Sequence, residues 1–248
     1  MRLVPRRRLV VPELFLGLVA IGVAVVWTAN IFAATIHDAR HVHDTISITG
    51  SARKPITANL VQWTLSVYGE AATEPRAARQ LHRESGLVVA FLRRAGVPAD
   101  AITPAVVTSE TIVIPLPHHR RRTRYRVGQQ LEVSTRQIDV VEAVSRQLGQ
   151  LIEQGVDVSA EPLAYLSTEL TQAKLDALQA ATEDARRRAD ILVSGLGGKL
   201  GSMRSSSLGV YQITPRDSTN VSDYGINDTS SREKDVTAVV SATFAVKR

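Results

Sequence analysis

The chain contains no cysteine, which excludes disulfide bonds, thiolate catalysis and thiolate metal sites. Aromatic residues make up only 4% of the 248 residues, so a hydrophobic core must rest on valine, leucine, isoleucine and alanine. The sequence also lacks the His-Glu-x-x-His motif of many metalloproteases and the Gly-x-Ser-x-Gly motif of α/β-hydrolases. A Ser-His-Asp site is still possible, because such triads assemble from residues that are distant in sequence.

Two short segments resemble catalytic motifs but fail in spacing or context. Gly195–Gly201 (GLGGKLG) has the wrong glycine spacing for a phosphate-binding loop and follows a predicted helix, so we interpret it as a helix C-cap. Ser51 and Lys54 have the spacing of a Ser-x-x-Lys pair, yet they lie at the end of a predicted strand rather than on one helical turn. We therefore predict no catalytic residue, no cofactor and no metal site.

Basic residues are concentrated in two islands. The formal net charge is +6, and outside the islands acidic residues slightly outnumber basic ones. A nucleic-acid-binding module would spread basic residues over a whole face, so this distribution disfavours nucleic acid as a partner. The first island is Arg2, Arg6, Arg7 and Arg8, and the second is Arg120, Arg121, Arg122, Arg124 and Arg126.

The first island precedes a long apolar run, Leu14–Ile36, which holds no charged residue. At about 1.5 Å per residue this run spans roughly 34 Å as a helix, enough to cross a bilayer. Because the arginines lie only on its N-terminal side, we predict a single-pass anchor (14–36) in the cytoplasmic membrane. Residues 1–13 would form a cytoplasmic basic tail and the remainder would be periplasmic or extracellular. The alternative is a cleaved signal peptide, although Phe32-Ala33-Ala34 is a poor cleavage site.

A polar linker, residues 37–44, follows the apolar run. It contains His37, His41 and His43, at spacings that could chelate a metal ion, but no fourth ligand is evident in the sequence. We interpret the segment as a solvated spacer, with metal binding as the alternative.

The remaining residues, 45–248, predict one α+β domain. Alternation of apolar and polar residues predicts strands, and apolar residues at steps of three and four predict three helices. The order β-β-α-β-β-α-β-α-β-β indicates helices on one face of a largely antiparallel sheet, and its repeated β-α-β-β stretches suggest a duplication. The predicted strands are Thr45–Ala52, Leu60–Gly69, Ala105–Pro115, Tyr125–Thr135, Val156–Leu166, Lys199–Gln212 and Asp235–Lys247, and the predicted helices are Glu74–Ala95, Ile138–Gln154 and Leu170–Leu196.

Apolar stripes on two of these helices predict the buried faces. The first helix has Ala78, Leu81, Ser85, Val88 and Leu92 in its stripe. The longest helix has Leu178, Ala181, Ala185, Ala189, Leu192 and Leu196, an alanine-rich stripe that can lie close against a sheet. The segment Thr214–Glu233, rich in serine, asparagine, aspartate and glycine, predicts a long mobile loop.

The second arginine island is the best candidate for a binding site. It lies between two predicted strands, so we expect a charged, extended loop at the end of a hairpin. In an exported domain its available anions are lipid headgroups, envelope polymers and acidic proteins. A solvated loop without a partner is the alternative. Only Tyr125 interleaves with the arginines, too few aromatics for a nucleic-acid stacking platform.

Three segments resemble the SIMPL-domain family: ISITGSARKPITANLVQWTLSVYGEAATEPRAA, YRVGQQLEVSTRQIDVVEAV and AATEDARRRADILVSGLGGKLGSMRSSS. Together they cover most of residues 45–248. The resemblance implies an exported or membrane-anchored bacterial protein with no established enzymatic activity or cofactor. It further implies a relation to members that form ring- or channel-like oligomers and to members linked to oxidative-stress tolerance.

These observations favour a non-enzymatic envelope protein that acts by homo-oligomeric assembly or by binding an envelope partner, with a role in stress tolerance. The first alternative is an exported hydrolase whose site is assembled from the Thr214–Glu233 segment and neighbouring polar residues. The second is a basic nucleic-acid module that remains in the cytoplasm.

Overall fold

The computed structural model describes residues 44–117 and 120–247. The predicted cytoplasmic tail, the membrane span, the cleavage site and the linker histidines all lie outside these residues. Within the described ranges, no helix is both long enough and apolar enough to cross a membrane.

The described residues form an α+β fold with ten strands, and they contain the three helices predicted. The second helix is broken into two short segments, α2 and α3, because residues 146–148 form a turn. The elements are β1 Thr45–Thr57, β2 Leu60–Ala71, α1 Glu74–Arg94, β3 Ile102–Leu116, β4 Arg120–Thr135, α2 Ile138–Ser145, α3 Gly149–Glu153, β5 Val158–Ala160, β6 Ala164–Leu166, α4 Leu170–Gly195, β7 Lys199–Leu208, β8 Gln212–Pro215, β9 Ile226–Asn227 and β10 Glu233–Lys247.

The strands form two five-stranded sheets, so the prediction of a single sheet with three helices on one face is wrong. The first sheet has the order β3-β4-β2-β5, with β6 also paired to β2, and is antiparallel. The second has the order β1-β10-β8-β9, with β7 also paired to β10, and its β8–β9 pair is parallel. Only Ala58 and Asn59 separate β1 from β2, although these strands belong to different sheets. The suggested duplication stays a prediction.

The first sheet buries one face against α1, α2 and α3. The predicted alternation is confirmed on β2 and β4, where Val61, Leu65, Leu131 and Val133 are almost completely buried. The stripe on α1 is wrong at two positions, because Ala77 and Glu84 are buried in place of Ala78 and Ser85.

Two contacts are associated with this difference in the buried face of α1. A Cβ atom on Gly69 of β2 would lie 2.3 Å from the carbonyl oxygen of Ala77, so the helix approaches the strand closely at this point. The buried carboxylate of Glu84 accepts a hydrogen bond from the backbone N–H of Asp157 (3.0 Å) and another from the Gln80 amide (2.7 Å). These hydrogen bonds compensate the cost of burying the carboxylate.

The second sheet packs on the alanine face of α4. Alanines at 173, 177 and 181 form a core with Ile213, Val236, Ala238 and Val240. A Cβ atom on Gly50 of β1 would lie 2.3 Å from the backbone nitrogen of Ala185, so only small residues fit at this crossing. The predicted stripe is wrong at its C-terminal end: Val193 is buried, whereas Leu192 and Leu196 are exposed, Leu196 to 88%.

By chain packing the described residues divide into two compact units. One comprises residues 44–48, 186–206 and 242–247, and the other comprises 49–185 and 207–241. In the first unit, Gly197 and Gly198 end α4 by donating backbone hydrogen bonds to Ser194 and Val193, which agrees with the C-cap interpretation. The sites described below lie in the second unit.

Candidate functional site

The second arginine island lies on β4, within a β-hairpin that extends beyond its sheet. The ladder between β2 and β4 ends at Ala71 and Tyr125, while the ladder between β3 and β4 continues to Leu116 and Arg120. Residues 112–116 and 120–124 therefore pair with each other and with no other strand that the structure describes. We call this two-stranded extension the arm.

The arginines form part of a strand, so the expectation of a charged loop at this position is wrong. β4 begins at Arg120, five residues before the predicted start. Because successive strand residues point to opposite faces, Arg122, Arg124 and Arg126 share one face while Arg121 lies on the other. The backbone of Arg120 pairs with that of Leu116, and its side chain lies outside the described atoms. The structure thus places three of the described arginine side chains on one face of β4 and one on the other.

Two of the five arginines are paired with one acidic residue on β2. The Arg124 Nε atom lies 2.6 Å from the Glu70 Oε1 atom, and the Arg126 Nη2 atom lies 3.3 Å from Glu70 Oε2. Arg124 also donates a hydrogen bond from Nη2 to the Glu70 carbonyl oxygen (3.5 Å). All three side chains are partly buried, so the charges are less screened by water than at a fully exposed site.

Arg126 also contacts an aromatic ring. Its guanidinium carbon lies 5.4 Å from the centroid of the Tyr68 ring, within the range of a cation–π contact. Tyr68 lies directly opposite Gly128, where a Cβ atom would be 2.9 Å from Tyr68 Cδ1. The ring therefore covers the glycine backbone. These contacts tie Arg124 and Arg126 to the base of the arm.

Arg121 and Arg122 remain available. Both are exposed, and neither forms an ion pair with any residue in the described ranges. Their cross-strand neighbours on β3 are Pro115 and Ile114. The arm also exposes Leu116 and 51% of Val113. The arm therefore combines exposed cationic groups with exposed aliphatic side chains, a combination that can contact an anionic amphiphile.

A second polar cluster lies in the segment predicted as a mobile loop. Part of this segment pairs as the end of β8 and as β9, and Asp228 organises the rest. The Asp228 carboxylate accepts hydrogen bonds from the hydroxyl and backbone N–H groups of Ser230 and Ser231. The buried Lys234 ammonium donates to the carboxylate oxygen Oδ2 (3.1 Å) and to the Asp228 carbonyl oxygen.

This cluster is not arranged for nucleophilic catalysis. Burial raises the pKa of Asp228, but the hydrogen bonds from Ser231, Ser230 and Lys234 outweigh this effect and hold the pKa well below its usual range. So weak a base does not activate a serine hydroxyl. His82, the histidine that the structure describes, is exposed on α1 and lines none of the cavities discussed below. The hydrolase alternative stays a prediction.

No sequence pattern had indicated a role for Glu70, Tyr68 or the Lys234–Asp228 pair. Tyr68 and Glu70 occupy the outward positions of the β2 alternation, so their face could have been predicted. Their partners could not, because those partners lie more than fifty residues away on β4. The burial of Lys234 could not be predicted, because the residue lies at the polar start of β10 and its partner, Asp228, belongs to the preceding turn.

Residues 46–244 match the SIMPL family, described as "Protein of unknown function (DUF541)". No curated protein sequence matches the chain.

Two solved structures show a weak likeness. A "putative aminohydrolase" from methicillin resistant Staphylococcus aureus is 15% identical over 56% of this chain and 39% of its own, with a TM-score of 0.21. A "putative amidohydrolase/peptidase" from Burkholderia cenocepacia is 10% identical over 54% of this chain and 34% of its own, with a TM-score of 0.18. The chain thus spans little more than a third of either structure, and TM-scores this low carry no argument about reaction. The match over residues 46–244 does establish the family: the chain belongs to the SIMPL family.

Proposed function

We propose that this SIMPL protein is a non-enzymatic, membrane-anchored envelope protein whose arm binds the surface of an anionic membrane. The observation that carries the proposal is the pairing of exposed arginines with exposed aliphatic side chains on one projecting hairpin, at Arg121, Arg122, Val113, Ile114 and Leu116.

The energetics favour a lipid interface over a hydrated polymer. Two arginines close to an anionic lipid surface contribute about 1 kcal/mol each. Full burial of an aliphatic side chain contributes about 1.5–3 kcal/mol, so even partial insertion of Ile114 and Leu116, which share the Arg122 face of the arm, adds a comparable amount. A hydrated anionic polymer or the polar rim of an acidic protein would attract the arginines but would not bury the aliphatic side chains.

The predicted anchor supports this proposal. Residues 37–44 span at most about 28 Å, since an extended residue covers about 3.5 Å. A linker this short would confine the domain near the bilayer and raise the effective concentration of its arm at the lipid surface. Even a weak contact would then be populated.

The absence of a cysteine allows a direct test with a single label. Thr123→Cys places a spin label on an exposed position of the arm. In nanodiscs containing the full-length protein, we expect the label to become immobile and accessible to lipid-borne relaxation agents when anionic lipid is included. In purely zwitterionic nanodiscs it should remain mobile.

Charge-removing variants provide the matched control. R121S/R122S should abolish the lipid-dependent immobilisation, whereas R93S/R94S, which removes two exposed arginines at the end of α1, should leave it unchanged. A label that stays mobile in anionic nanodiscs would refute the proposal. Immobilisation by a soluble anionic polysaccharide in zwitterionic nanodiscs would assign the arm to an envelope polymer instead.

Homo-oligomeric assembly is a second candidate, favoured by the free edge of β3. This 15-residue strand pairs only with β4 among the strands that the structure describes, and it exposes 85% of Val106. A second copy could add a strand there, since an unpaired edge presents free N–H and C=O groups. Mass photometry of the detergent-extracted protein tests this: V106K should convert oligomers to monomers if β3 is the interface.

The non-enzymatic part of the proposal is supported by the saturated Asp228 carboxylate, which leaves Ser230 and Ser231 without a base. A role in stress tolerance follows only from the family resemblance. It is tested by exposing a deletion strain to peroxide, with complementation by the wild-type chain and by R121S/R122S.

A further inference from the structure

A cavity of about 230 Å³ lies beside the start of α4. Its apolar wall comes from β1, β2, β6, β8 and α4, through Ile56, Leu60, Leu166, Leu170 and Ile213. The cavity is smaller than the about 300–1,000 Å³ of a pocket for a drug-sized ligand, so its occupant must be small.

A buried lysine forms part of the wall of this cavity. Lys234 lines the cavity and is only 2% exposed. Its Nζ atom carries three hydrogens, and its acceptors in the described residues are the Asp228 carbonyl oxygen and Oδ2. The third N–H of Lys234 has no acceptor among the described residues.

Two hydroxyl groups at the start of α4 are also free to donate. Ser167 Oγ accepts a hydrogen bond from the backbone of Glu169, and Thr168 Oγ1 accepts one from the Asn59 side-chain amide. Each hydroxyl uses its oxygen in these contacts and keeps its hydrogen. Asp228 cannot offer a competing acceptor, since Ser230, Ser231 and Lys234 already occupy its carboxylate.

The polar part of the wall combines these donors with Asn227 and the already hydrogen-bonded Asp228 carboxylate. The first N–H groups of the 26-residue helix α4 and the positive end of its dipole lie on the same side as Ser167 and Thr168. A neutral alcohol would satisfy one of these donors, whereas a carboxylate has lone pairs for several. An amine would find no free carboxylate here, because that of Asp228 is already hydrogen-bonded to Ser230, Ser231 and Lys234.

We propose that this cavity binds a small carboxylate with an apolar body, such as a short-chain fatty acid. The carboxylate accepts hydrogen bonds from Lys234, Ser167 and Thr168, and the chain packs against the aliphatic wall. A second, wider hollow of about 460 Å³ shares Leu170, Ile213 and Asn227 with the cavity, and Tyr224 on its rim is almost fully exposed. The ligand would enter from solvent through this hollow.

Hexanoate is the probe. The full-length protein in detergent micelles, labelled with ¹³C at isoleucine and leucine methyl groups, is titrated with hexanoate, hexan-1-ol and hexylamine. We expect saturable shifts of the Ile56 and Ile213 methyl signals with hexanoate, with a Kd of about 1 mM for a ligand of this size. Ile152, which is exposed on α3 and does not line the cavity, should not shift.

Two variants locate the binding groups. S167A/T168V removes both hydroxyl donors and should weaken hexanoate binding about tenfold, whereas L170W should fill the cavity and abolish binding. The thermal midpoint of each variant shows whether the fold is retained. The proposal is overturned if hexanoate causes no saturable shift, if hexylamine or hexan-1-ol binds as tightly, or if folded L170W binds like the wild type.

Discussion

Tyr68 on β2 lies directly opposite Gly128 on β4, with its ring over the glycine backbone and the Arg126 guanidinium 5.4 Å from the ring centroid. This pair joins the base of the arm to the rest of the sheet. The position of the Tyr68 ring favours glycine at position 128, because a side chain there would occupy the space that the ring fills.

Gly128→Ala should therefore destabilise the protein. The added Cβ atom would lie 2.9 Å from Tyr68 Cδ1, so the ring must move and weaken its contact with Arg126. We expect a loss of about 1–3 kcal/mol in the free energy of unfolding, measured by urea denaturation. Gly86→Ala is the control: it lies on the exposed face of α1 with open space around its Cα atom, and should stabilise the protein by about 0.5–1 kcal/mol.

Gly50→Ala should be more destabilising than Gly128→Ala. Its Cβ atom would lie within 2.6 Å of three atoms of α4, all of them backbone, and a helix backbone cannot rotate away as a tyrosine ring can. We expect a loss of about 3 kcal/mol or more, with a lower thermal midpoint. Equal effects of the two substitutions would contradict the close approach of α4 to β1.

Glu70→Gln should loosen the base of the arm without unfolding the domain. The substitution removes the charge that holds Arg124 and Arg126, and partly exposed pairs of this kind contribute about 1 kcal/mol or less each. We expect faster amide hydrogen exchange in the arm and at residues 124–126, with little change in α4. Glu110→Gln, an exposed acid on β3 opposite Arg126, is the control and should change exchange less.

Acid should destabilise the protein partly through Asp228. Its pKa is lowered in the folded state, so its contribution to stability is complete above the unfolded pKa, near 3.8, and is lost as the pH falls below that value. In urea denaturation between about pH 6 and pH 2.5, the wild type should lose stability below about pH 4 more steeply than Asp228→Asn. At neutral pH the variant should be less stable by about 3–5 kcal/mol, because Lys234 loses its buried counter-charge. Parallel curves for the two proteins would show that Asp228 does not contribute.

Much of the fold could be predicted from the sequence because alternation reports directly on burial. The residues Val61, Leu65, Leu131 and Val133 were placed correctly, since a strand with one buried face repeats every two residues. Alternation does not report which strand is the neighbour. β1 and β2 have the same alternating pattern and are separated by only two residues, yet they belong to different sheets. A single sheet was therefore predicted where two exist.

The helix faces were mispredicted where packing distance decided them. Leucine is the stronger hydrophobic signal, so Leu192 and Leu196 were assigned to the buried stripe of α4. The helix instead buries Ala181, Ala185, Ala189 and Val193, and Gly50 allows close approach at Ala181 and Ala185. The candidate site was found by composition, but its division into paired and free arginines was not. That division depends on Glu70, a residue from another strand.

The two-residue step at Ala58 and Asn59 has a consequence for how the protein unfolds. The N–H of Ala58 bonds to the Arg232 carbonyl and that of Asn59 to the Leu166 carbonyl, while the Asn59 side chain holds Thr168. A shift of one residue in the register of β1 would exchange its two faces. Because the connection is only two residues long, the register of β2 would have to shift as well. The registers of the two sheets are thus coupled through this connection. We expect the two sheets to unfold together.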